Sequence, residues 1–236
     1  MDNYFVSSCK RVKDWICRQF GQKEKKTVHH KKFADGGEVI VWETGRAGEE
    51  AASYENLFLR KEIAGFRTNI RREQSCSIKS LTRDYLYKQL LSSGEYTFDH
   101  MLVIKDPYGE APLTALALFI LEEPACVRVT TKGNLKETDF VTELPKKKEH
   151  RVPILGMYAE KANDIVIEIL DDEGNCVKSH TFTIRTKRLP KSLRNVITVK
   201  KWTDKPAYSN IMINGGVKIH TCVFDIEGQI RYYLSR

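Results

Sequence analysis

Apolar residues follow a helical spacing in most of the first 95 residues. Steps of three or four positions predict helices over residues 1–20, 49–66 and 81–91, with Ser80 as the N-cap of the last. Residues 38–42 instead form a short apolar run that indicates a strand. Residues 21–37 are polar and lysine-rich, which is typical of a solvated linker. The pattern therefore predicts a helical N-terminal extension over residues 1–95.

After Gly94 the chain changes to short runs rich in Val, Ile, Thr and Phe, separated by turn residues. Asp171 to Asn175 is an acidic turn with one glycine, and it predicts a hairpin between the runs on either side. No helical crossover between these runs is evident, so an antiparallel, immunoglobulin-like β-sandwich is predicted over residues 96–190. The predicted strands span residues 101–104, 113–121, 126–131, 139–144, 165–170 and 176–184.

Residues 191–236 form a third segment. Residues 196–202 and 211–213 are strand-like, and residues 218–224 and 230–234 flank a tight turn, so a further hairpin is predicted there. The final strand is apolar, and such a strand needs a partner along its free edge. The segment therefore predicts the first part of a larger β structure, which is cut off at Arg236.

Composition and charge fit a folded protein with a basic arm. With 41% hydrophobic residues, 14 Gly and 7 Pro, the 236-residue chain is neither collagen-like nor wholly disordered. The net charge is +8, and residues 1–32 hold nine Lys and Arg against three acids, so this arm contributes most of it. The aromatic residues do not alternate with lysines, even near Lys146, Lys147 and Lys148, so nucleic-acid binding is not expected.

The arm over residues 1–32 has two interpretations. Its first 20 residues form a basic amphipathic pattern, which is found in helices that dock on their own domain and in helices that lie on anionic membranes. Docking is favoured over membrane contact. No apolar stretch resembles a secretory signal or a membrane span, so the chain as written is predicted to be cytoplasmic.

No self-contained active site is predicted. The six cysteines lack C-x-x-C spacing, and Cys126, Cys176 and Cys222 are expected to be buried reduced thiols. His29 and His30 lack a third nearby ligand, so a metal site there is disfavoured. Glycine-rich phosphate loops and a serine nucleophile elbow are both absent from the sequence. The sequence therefore predicts no catalytic, cofactor-binding or metal-binding residues.

Five motifs in order carry a resemblance to one family. They are residues 106–116 (DPYGEAPLTAL), 150–158 (HRVPILGMY), 163–166 (NDIV), 184–190 (IRTKRLP) and 224–234 (FDIEGQIRYYL). Together they resemble the N-terminal domain and first-blade hairpin of bacterial aryl-sulfate sulfotransferases, across about residues 96–236. Residues 1–95 have no counterpart in this resemblance.

The resemblance implies a β-sandwich followed by a six-bladed propeller. It also implies transfer of a sulfuryl group from a phenolic sulfate ester to a phenol through a sulfated histidine, without a nucleotide sulfate donor. A histidine nucleophile divides one difficult displacement into two easier ones. The family's catalytic residues lie in later propeller blades, so none is assigned here, and His150 is expected to be structural. Many relatives are exported, so a periplasmic or extracellular location is the alternative to the cytoplasm.

Two functional hypotheses follow from the sequence. The favoured one is the N-terminal part of an aryl-sulfate sulfotransferase, inactive alone and either a homodimer or completed by a second, propeller-bearing chain. A split gene, a pseudogene or an incomplete reading frame would explain the expected truncation. The alternative is a non-catalytic immunoglobulin-like binding module, whose basic tether at residues 1–32 contacts a protein partner or an anionic surface.

Overall fold

The computed structural model describes residues 28–33, 37–54, 72–200, 208–214 and 219–235. Strands dominate these residues, as predicted, and a 3-10 turn lies at Lys136–Thr138 and another at Lys191–Leu193. In chain order the remaining elements are β1 Val28–Lys32, β2 Glu38–Trp42, α1 Thr44–Ala52, α2 Arg72–Ser92, β3 His100–Lys105, β4 Ala115–Thr131, β5 Phe140–Ile154, β6 Ala162–Leu170, β7 Cys176–Arg185, β8 Tyr208–Asn214, β9 Ile219–Asp225 and β10 Ile230–Tyr233.

Strand β4 joins two sheets into one sandwich. Its first half pairs with β3 along one edge, and its second half pairs with β6 along that same edge. Strand β5 follows the opposite edge of β4 through both halves, and the register shifts between Ile120 and Val127. A β-bulge of this kind bends a strand. The long pair β4–β5 therefore passes from one sheet into the other, and the path β1-β2-β3-β4-β6-β7 makes the sheet nearly closed.

The bent sheet has two halves, one with β1, β2 and β3 and the other with β6 and β7, and each half buries one face against the other. Every second residue of β2, β3 and the first half of β4 enters this sandwich core, where it meets the inward residues of β6 and β7. This alternation follows from the pleat of a β-strand, which directs successive side chains to opposite faces. The core includes Val39, Val41, Met101, Val103, Ala115, Ala117, Val127, Val129, Ile165, Ile167, Phe182 and Ile184.

The other face of the β2–β3–β4 sheet is buried by the two helices. Ile40, Leu102, Leu116 and their neighbours pack against Ala47 and Ala51 of α1 and against Leu86, Tyr87 and Leu91 of α2. A sheet buried on both faces requires continuous apolar runs instead of alternation. This explains why residues 101–104 and 113–121 are apolar throughout.

Strands β2 and β3 run parallel, with Glu38 opposite His100 and Trp42 opposite Ile104. The antiparallel sandwich was predicted for residues 96–190, where the paired strands β3 to β7 are indeed antiparallel. The parallel pair instead adds β2, from the predicted helical extension, to the edge of that sandwich. Parallel neighbours require a long connection, and helices usually provide it. Here α1 and α2 lie between β2 and β3 in the chain. Residues 1–95 thus contribute two strands as well as helices, while the predicted domain boundaries at residues 95 and 190 remain predictions.

Several predicted elements change their limits. The linker predicted over residues 21–37 contains the strand β1. All five residues of β1 are exposed and show no apolar pattern, so the strand forms because its backbone pairs with β2. The strands predicted over 113–121 and 126–131 are the single strand β4. Helix α2 begins eight residues before Ser80, so that residue does not cap it, and α1 begins at Thr44, before the predicted residue 49. The helix predicted over residues 1–20 lies outside the described residues.

The last three strands form a separate antiparallel sheet in the order β10-β9-β8, which we call the C-terminal sheet. The hairpin predicted there is confirmed as β9 and β10. The strand predicted over residues 196–202 is wrong for residues 196–200, which carry no strand, and residues 201–207 lie outside the described part. Cys222, Ile230 and Tyr233 belong to the sandwich core, so the C-terminal sheet packs directly against the sandwich.

We expect Gly156→Ala to destabilise the protein more than Gly174→Ala. Both glycines have positive φ, +74° and +84°, which costs an L-residue about 1–2 kcal/mol. At Gly156 a new Cβ would also lie 2.7 Å from the Cβ of Phe140, whereas nothing lies within 4 Å at Gly174. Denaturant unfolding should give a larger loss for Gly156→Ala by at least about 1 kcal/mol. Equal losses would contradict the steric argument.

Candidate functional site

The turn between β9 and β10 is organised by the carboxylate of Asp225. Its Oδ1 accepts hydrogen bonds from the backbone N–H groups of Glu227 and Gln229, both at 3.0 Å. Gly228 supplies the positive φ of +77° that the turn requires. One oxygen of Asp225 therefore fixes the hairpin, and its second oxygen remains available to another partner.

That second oxygen binds a buried arginine and a buried tyrosine. Asp225 Oδ2 accepts hydrogen bonds from Arg231 Nη1 at 3.1 Å and from the Tyr158 hydroxyl at 3.0 Å. The side chains of Arg231 and Asp225 are 1% and 0% exposed. A charge that is removed from water needs a partner of opposite sign and full hydrogen bonding. Asp225 provides the charge, and Tyr158 extends the contact into the sandwich.

Backbone carbonyl groups of the sandwich complete the surroundings of Arg231. Its Nε donates to the carbonyl of Gly156 at 2.6 Å, and its Nη1 donates to the carbonyl of Thr138 at 3.0 Å. The guanidinium carbon also lies 3.8 Å from the centre of the Tyr158 ring, which is a close cation–π contact. We call this group, Arg231 with Asp225, Tyr158 and the Gly156 and Thr138 carbonyls, the junction. It connects the C-terminal sheet to the sandwich.

Side chains of β6 and of the segment after β7 hold Tyr158 in place. Asn163 accepts a hydrogen bond from the Tyr158 N–H at 2.6 Å and donates to its carbonyl at 3.0 Å. The Thr186 hydroxyl donates to the same carbonyl. Burial raises the pKa of Tyr158, so its hydroxyl stays protonated as a donor to Asp225. The position of Tyr158 in the junction is thus set by side-chain hydrogen bonds to its backbone N–H and carbonyl groups.

The junction, together with the side chains that hold Tyr158, draws on four of the five motifs found in the sequence. Residues 150–158 contribute Tyr158, residues 163–166 contribute Asn163, residues 184–190 contribute Thr186, and residues 224–234 contribute Asp225 and Arg231. Sequence analysis had assigned no role to these side chains. No local signal distinguishes these side chains, because the motifs at residues 184–190 and 224–234 contain several other polar residues.

The fifth motif forms a turn against helix α2. Asp106 Oδ1 accepts the N–H groups of Glu110 and Ala111, at 2.8 and 2.9 Å, which folds the segment back on itself. The Tyr108 hydroxyl donates to Asp84 of α2 at 2.6 Å. The carbonyl of Glu110 accepts the N–H of Ser235, just after β10, at 2.8 Å. This turn therefore touches both the helical layer and the C-terminal sheet.

The described histidines on β5 and β7 have structural surroundings. His150 is 2% exposed, stacks on Phe119 with ring centres 5.3 Å apart, and its Nε2 lies 2.8 Å from the Lys147 carbonyl. The His180 ring lies between Phe33 and Phe98, and its Nε2 is 2.8 Å from Asp99 Oδ1. Burial and aromatic stacking cover both rings, whereas a general base must reach its substrate.

The histidines of β1 and β3 contact glutamates instead of one another. His29 Nε2 lies 3.8 Å from Glu43, and His30 Nδ1 lies 3.5 Å from Glu38, so the two adjacent side chains diverge. His100 Nδ1 contacts Glu38 at 2.9 Å. Among the described residues no group of three potential ligands is arranged to hold a metal ion.

The cysteines differ from the prediction of uniform burial. Cys126, Cys176 and Cys222 are all free thiols, but Cys176 is exposed and Cys126 is partly exposed, so burial holds for Cys222 alone. The prediction was wrong because Cys176 begins the edge strand β7, whose first four residues are all exposed. Burial raises the pKa of Cys222 to about 11.

No helix in the described part is both long and apolar enough to cross a bilayer.

The fold defines a mainly β protein of the immunoglobulin-like sandwich class, and comparison of families identifies it further. Residues 102–187 match the family model described as the arylsulfotransferase Ig-like domain. Residues 102–187 are therefore similar to the Ig-like N-terminal domain of the arylsulfotransferases, the domain that the sequence motifs predicted. No curated protein matches the chain.

Replacing the junction arginine should lower the free energy of unfolding by about 3–5 kcal/mol, because Arg231→Met leaves the Asp225 carboxylate buried without a cation. Hydrogen exchange in β9 and β10 should increase more than in β6 and β7, since the junction attaches the C-terminal sheet. The matched control is Arg188→Met, which removes an exposed ion pair with Glu160 and should cost less than about 1 kcal/mol.

Adding Asp225→Asn to Arg231→Met should recover part of the lost stability, because the unpaired charge is then removed. The introduced amide would keep a side-chain oxygen for the turn N–H groups. A loss below about 1 kcal/mol for Arg231→Met, or a double variant as unstable as the sum of the two single variants, would contradict the ionic role of the junction.

Protonation of His150 should destabilise the fold in acid. Burial lowers its pKa, although the carbonyls of Lys147 and Ala125 oppose this effect. The unfolded chain, with an imidazole pKa of about 6.5, then binds this proton more readily than the folded protein. Stability is therefore lost as the pH falls below about 6.5.

We expect His150→Gln to lose less stability than the unmodified protein when urea unfolding at pH 7.5 is compared with pH 5.5. The control His30→Gln replaces a histidine whose side chain is 59% exposed, and it should keep the original pH dependence. If His150→Gln had the same pH dependence as the unmodified protein, the argument from burial would be wrong.

Proposed function

We propose that this chain acts as the N-terminal part of an aryl-sulfate sulfotransferase, in which the sandwich braces the first strands of a catalytic propeller. The junction carries the proposal. Arg231 and Asp225 belong to the hairpin that resembles the first propeller blade, and Tyr158 belongs to the Ig-like domain. A buried ion pair shared by two segments fixes their relative position, because separating them leaves a charge without a partner.

The surroundings of the junction suit a brace better than a reaction centre. Arg231 has its Nε and Nη1 bound to protein oxygens, and Asp225 has both oxygens bound. The two side chains are almost fully removed from solvent, so a sulfate ester could not reach them without unfolding the hairpin. The junction therefore contributes position and stability, and the transfer chemistry requires other residues.

In the family, that chemistry is implied to proceed through a sulfated histidine in the propeller. None of the histidines of this chain lies in a motif resembling that catalytic one. His150 and His180 are enclosed by aromatic rings, and Asp99 occupies Nε2 of His180. We therefore propose that residues 1–236 alone do not transfer a sulfuryl group between a phenolic sulfate donor and a phenol acceptor.

The alternative of a binding module with a basic tether depends on residues 1–32. Residues 1–27 lie outside the described part, and residues 28–32 form the exposed strand β1. No contact among the described residues favours this alternative, so it stays a prediction. Association as a homodimer or with a propeller-bearing chain also stays a prediction.

The purified chain should release no p-nitrophenol from p-nitrophenyl sulfate with phenol as acceptor, followed by absorbance. Its folding should be verified by a cooperative thermal transition in the same preparation, so that inactivity is not caused by unfolding. An active aryl-sulfate sulfotransferase serves as the positive control for the assay. Release of p-nitrophenol in proportion to the concentration of the folded chain, with transfer to phenol, would overturn the proposed inactivity.

A further inference from the structure

The sandwich opens at one end into a cleft of about 480 Å³. One wall is formed by β1 and by the ends of β2 and β3, and the other wall is formed by the end of β7 and the residues that follow it. Ligand sites in proteins are usually clefts of about 300–1,000 Å³. This cleft therefore has the size of a small-molecule site, and it lies apart from the junction residues Asp225 and Arg231.

Charged residues occupy strand positions that would normally face the core. Along β2 and β3, Val41 and Val103 belong to the sandwich core, and Glu43 and Lys105 are the next positions on the same face. On β1, His29 and Lys31 lie on the face shared with Val41 and line the cleft as well. Strand alternation predicts apolar side chains at inward positions. Charged residues there keep the mouth of the sandwich open and polar.

Positive charge predominates in this cleft. Lys31, Lys105, Arg185 and Lys187 line it, against the single carboxylate of Glu43. Lys105 Nζ contacts Glu43 Oε1 at 2.6 Å, so the carboxylate is already engaged by one of the four cations. Excess charge of one sign in a cleft with protein walls raises the local concentration of ligands of the opposite sign. The electrostatics therefore favour an anion.

Lys31 is the cation most suited to hold that anion. Its Nζ donates to the carbonyl of Thr183, so the ammonium group is positioned across the cleft, with two donor hydrogens left. Although Lys31 is exposed overall, partial desolvation of its ammonium group lowers its pKa, and the nearby charge of Lys105 lowers it further. A bound anion would relieve this repulsion between the two ammonium groups. The exposed lining of the cleft is mainly apolar, although Val41 and Ile184 at its base are themselves almost fully buried.

We propose that the cationic mouth, defined by Lys31, Lys105, Arg185 and Lys187 with Glu43, binds a small organic oxyanion that has an apolar body. The cations contact the oxyanion head, and the apolar body lies against the mainly apolar lining of the cleft. Hydrogen bonds from ammonium and guanidinium groups to oxyanions are among the stronger polar contacts in proteins. This inference goes beyond the proposed bracing role and does not depend on it.

The test is titration calorimetry of the full chain with octanoate, octyl sulfate and octanol. These probes share an apolar chain and differ in the head group, so octanoate and octyl sulfate distinguish a carboxylate from a sulfate ester, and octanol reports apolar contact alone. We expect either or both of the anions to bind at least about tenfold more tightly than octanol, because hydrogen bonds to charged groups contribute more than neutral ones. Added salt should weaken the binding of the anions.

The variants Lys31→Gln and Arg185→Gln should each weaken binding of the anion by about tenfold or somewhat less. The matched control is Lys32→Gln, which removes the same charge from the next residue of β1, on the opposite face of the strand. Thermal unfolding of each variant shows whether the fold is retained.

Three results would overturn the proposal. They are the absence of binding by either anion, octanol binding as tight as that of both anions, and equal weakening by Lys31→Gln and Lys32→Gln. The last result would mean that only the net charge of the protein attracts the anion. None of these results bears on the junction, so failure here is distinguishable from failure of the bracing role.

Discussion

The buried guanidinium of Arg231 is the constraint on which the attachment of the C-terminal sheet to the sandwich depends. Arginine cannot lose its charge in a protein, so its burial demands a carboxylate and several fixed acceptors. Asp225, the Tyr158 hydroxyl and the carbonyls of Gly156 and Thr138 meet that demand, and its Nη2 has no hydrogen bond within the described residues. Since these acceptors come from three separate segments, one side chain fixes the hairpin and two sandwich loops together.

Local sequence patterns predicted much of the fold correctly. The strands β3, β6 and β7, the acidic turn between β6 and β7, and the β9–β10 hairpin follow from alternation and turn residues. Asp171 illustrates why, because its Oδ1 accepts the N–H groups of Glu173 and Asn175 within the turn itself. Features of this kind are local, so a short stretch of sequence is sufficient to predict them.

The errors concern features that depend on distant residues. Strand β1 has no apolar pattern, and only its pairing with β2 makes it a strand. The strands predicted over 113–121 and 126–131 were separated because Glu123 and Pro124 are typical of a turn, but β5 pairs on both sides of them, so β4 continues through a bulge. The junction was missed for a similar reason, since arginine and aspartate are usually exposed and nothing in the local pattern signals that Arg231 is buried. The match to the Ig-like domain supports the motifs but does not reveal their contacts.

The parallel pairing of β2 with β3 has a consequence for where the folding unit begins. The family match starts at residue 102, inside β3, yet β2 covers the edge of β3, and α1 and α2 cover its outer face. A polypeptide that started at β3 would present an unpaired apolar edge together with the uncovered side chains of Leu102, Ile104, Leu116 and Leu118. Such an edge is a template for intermolecular strand addition. The preceding segment therefore buries an edge and a face of the sandwich that would otherwise be apolar and exposed.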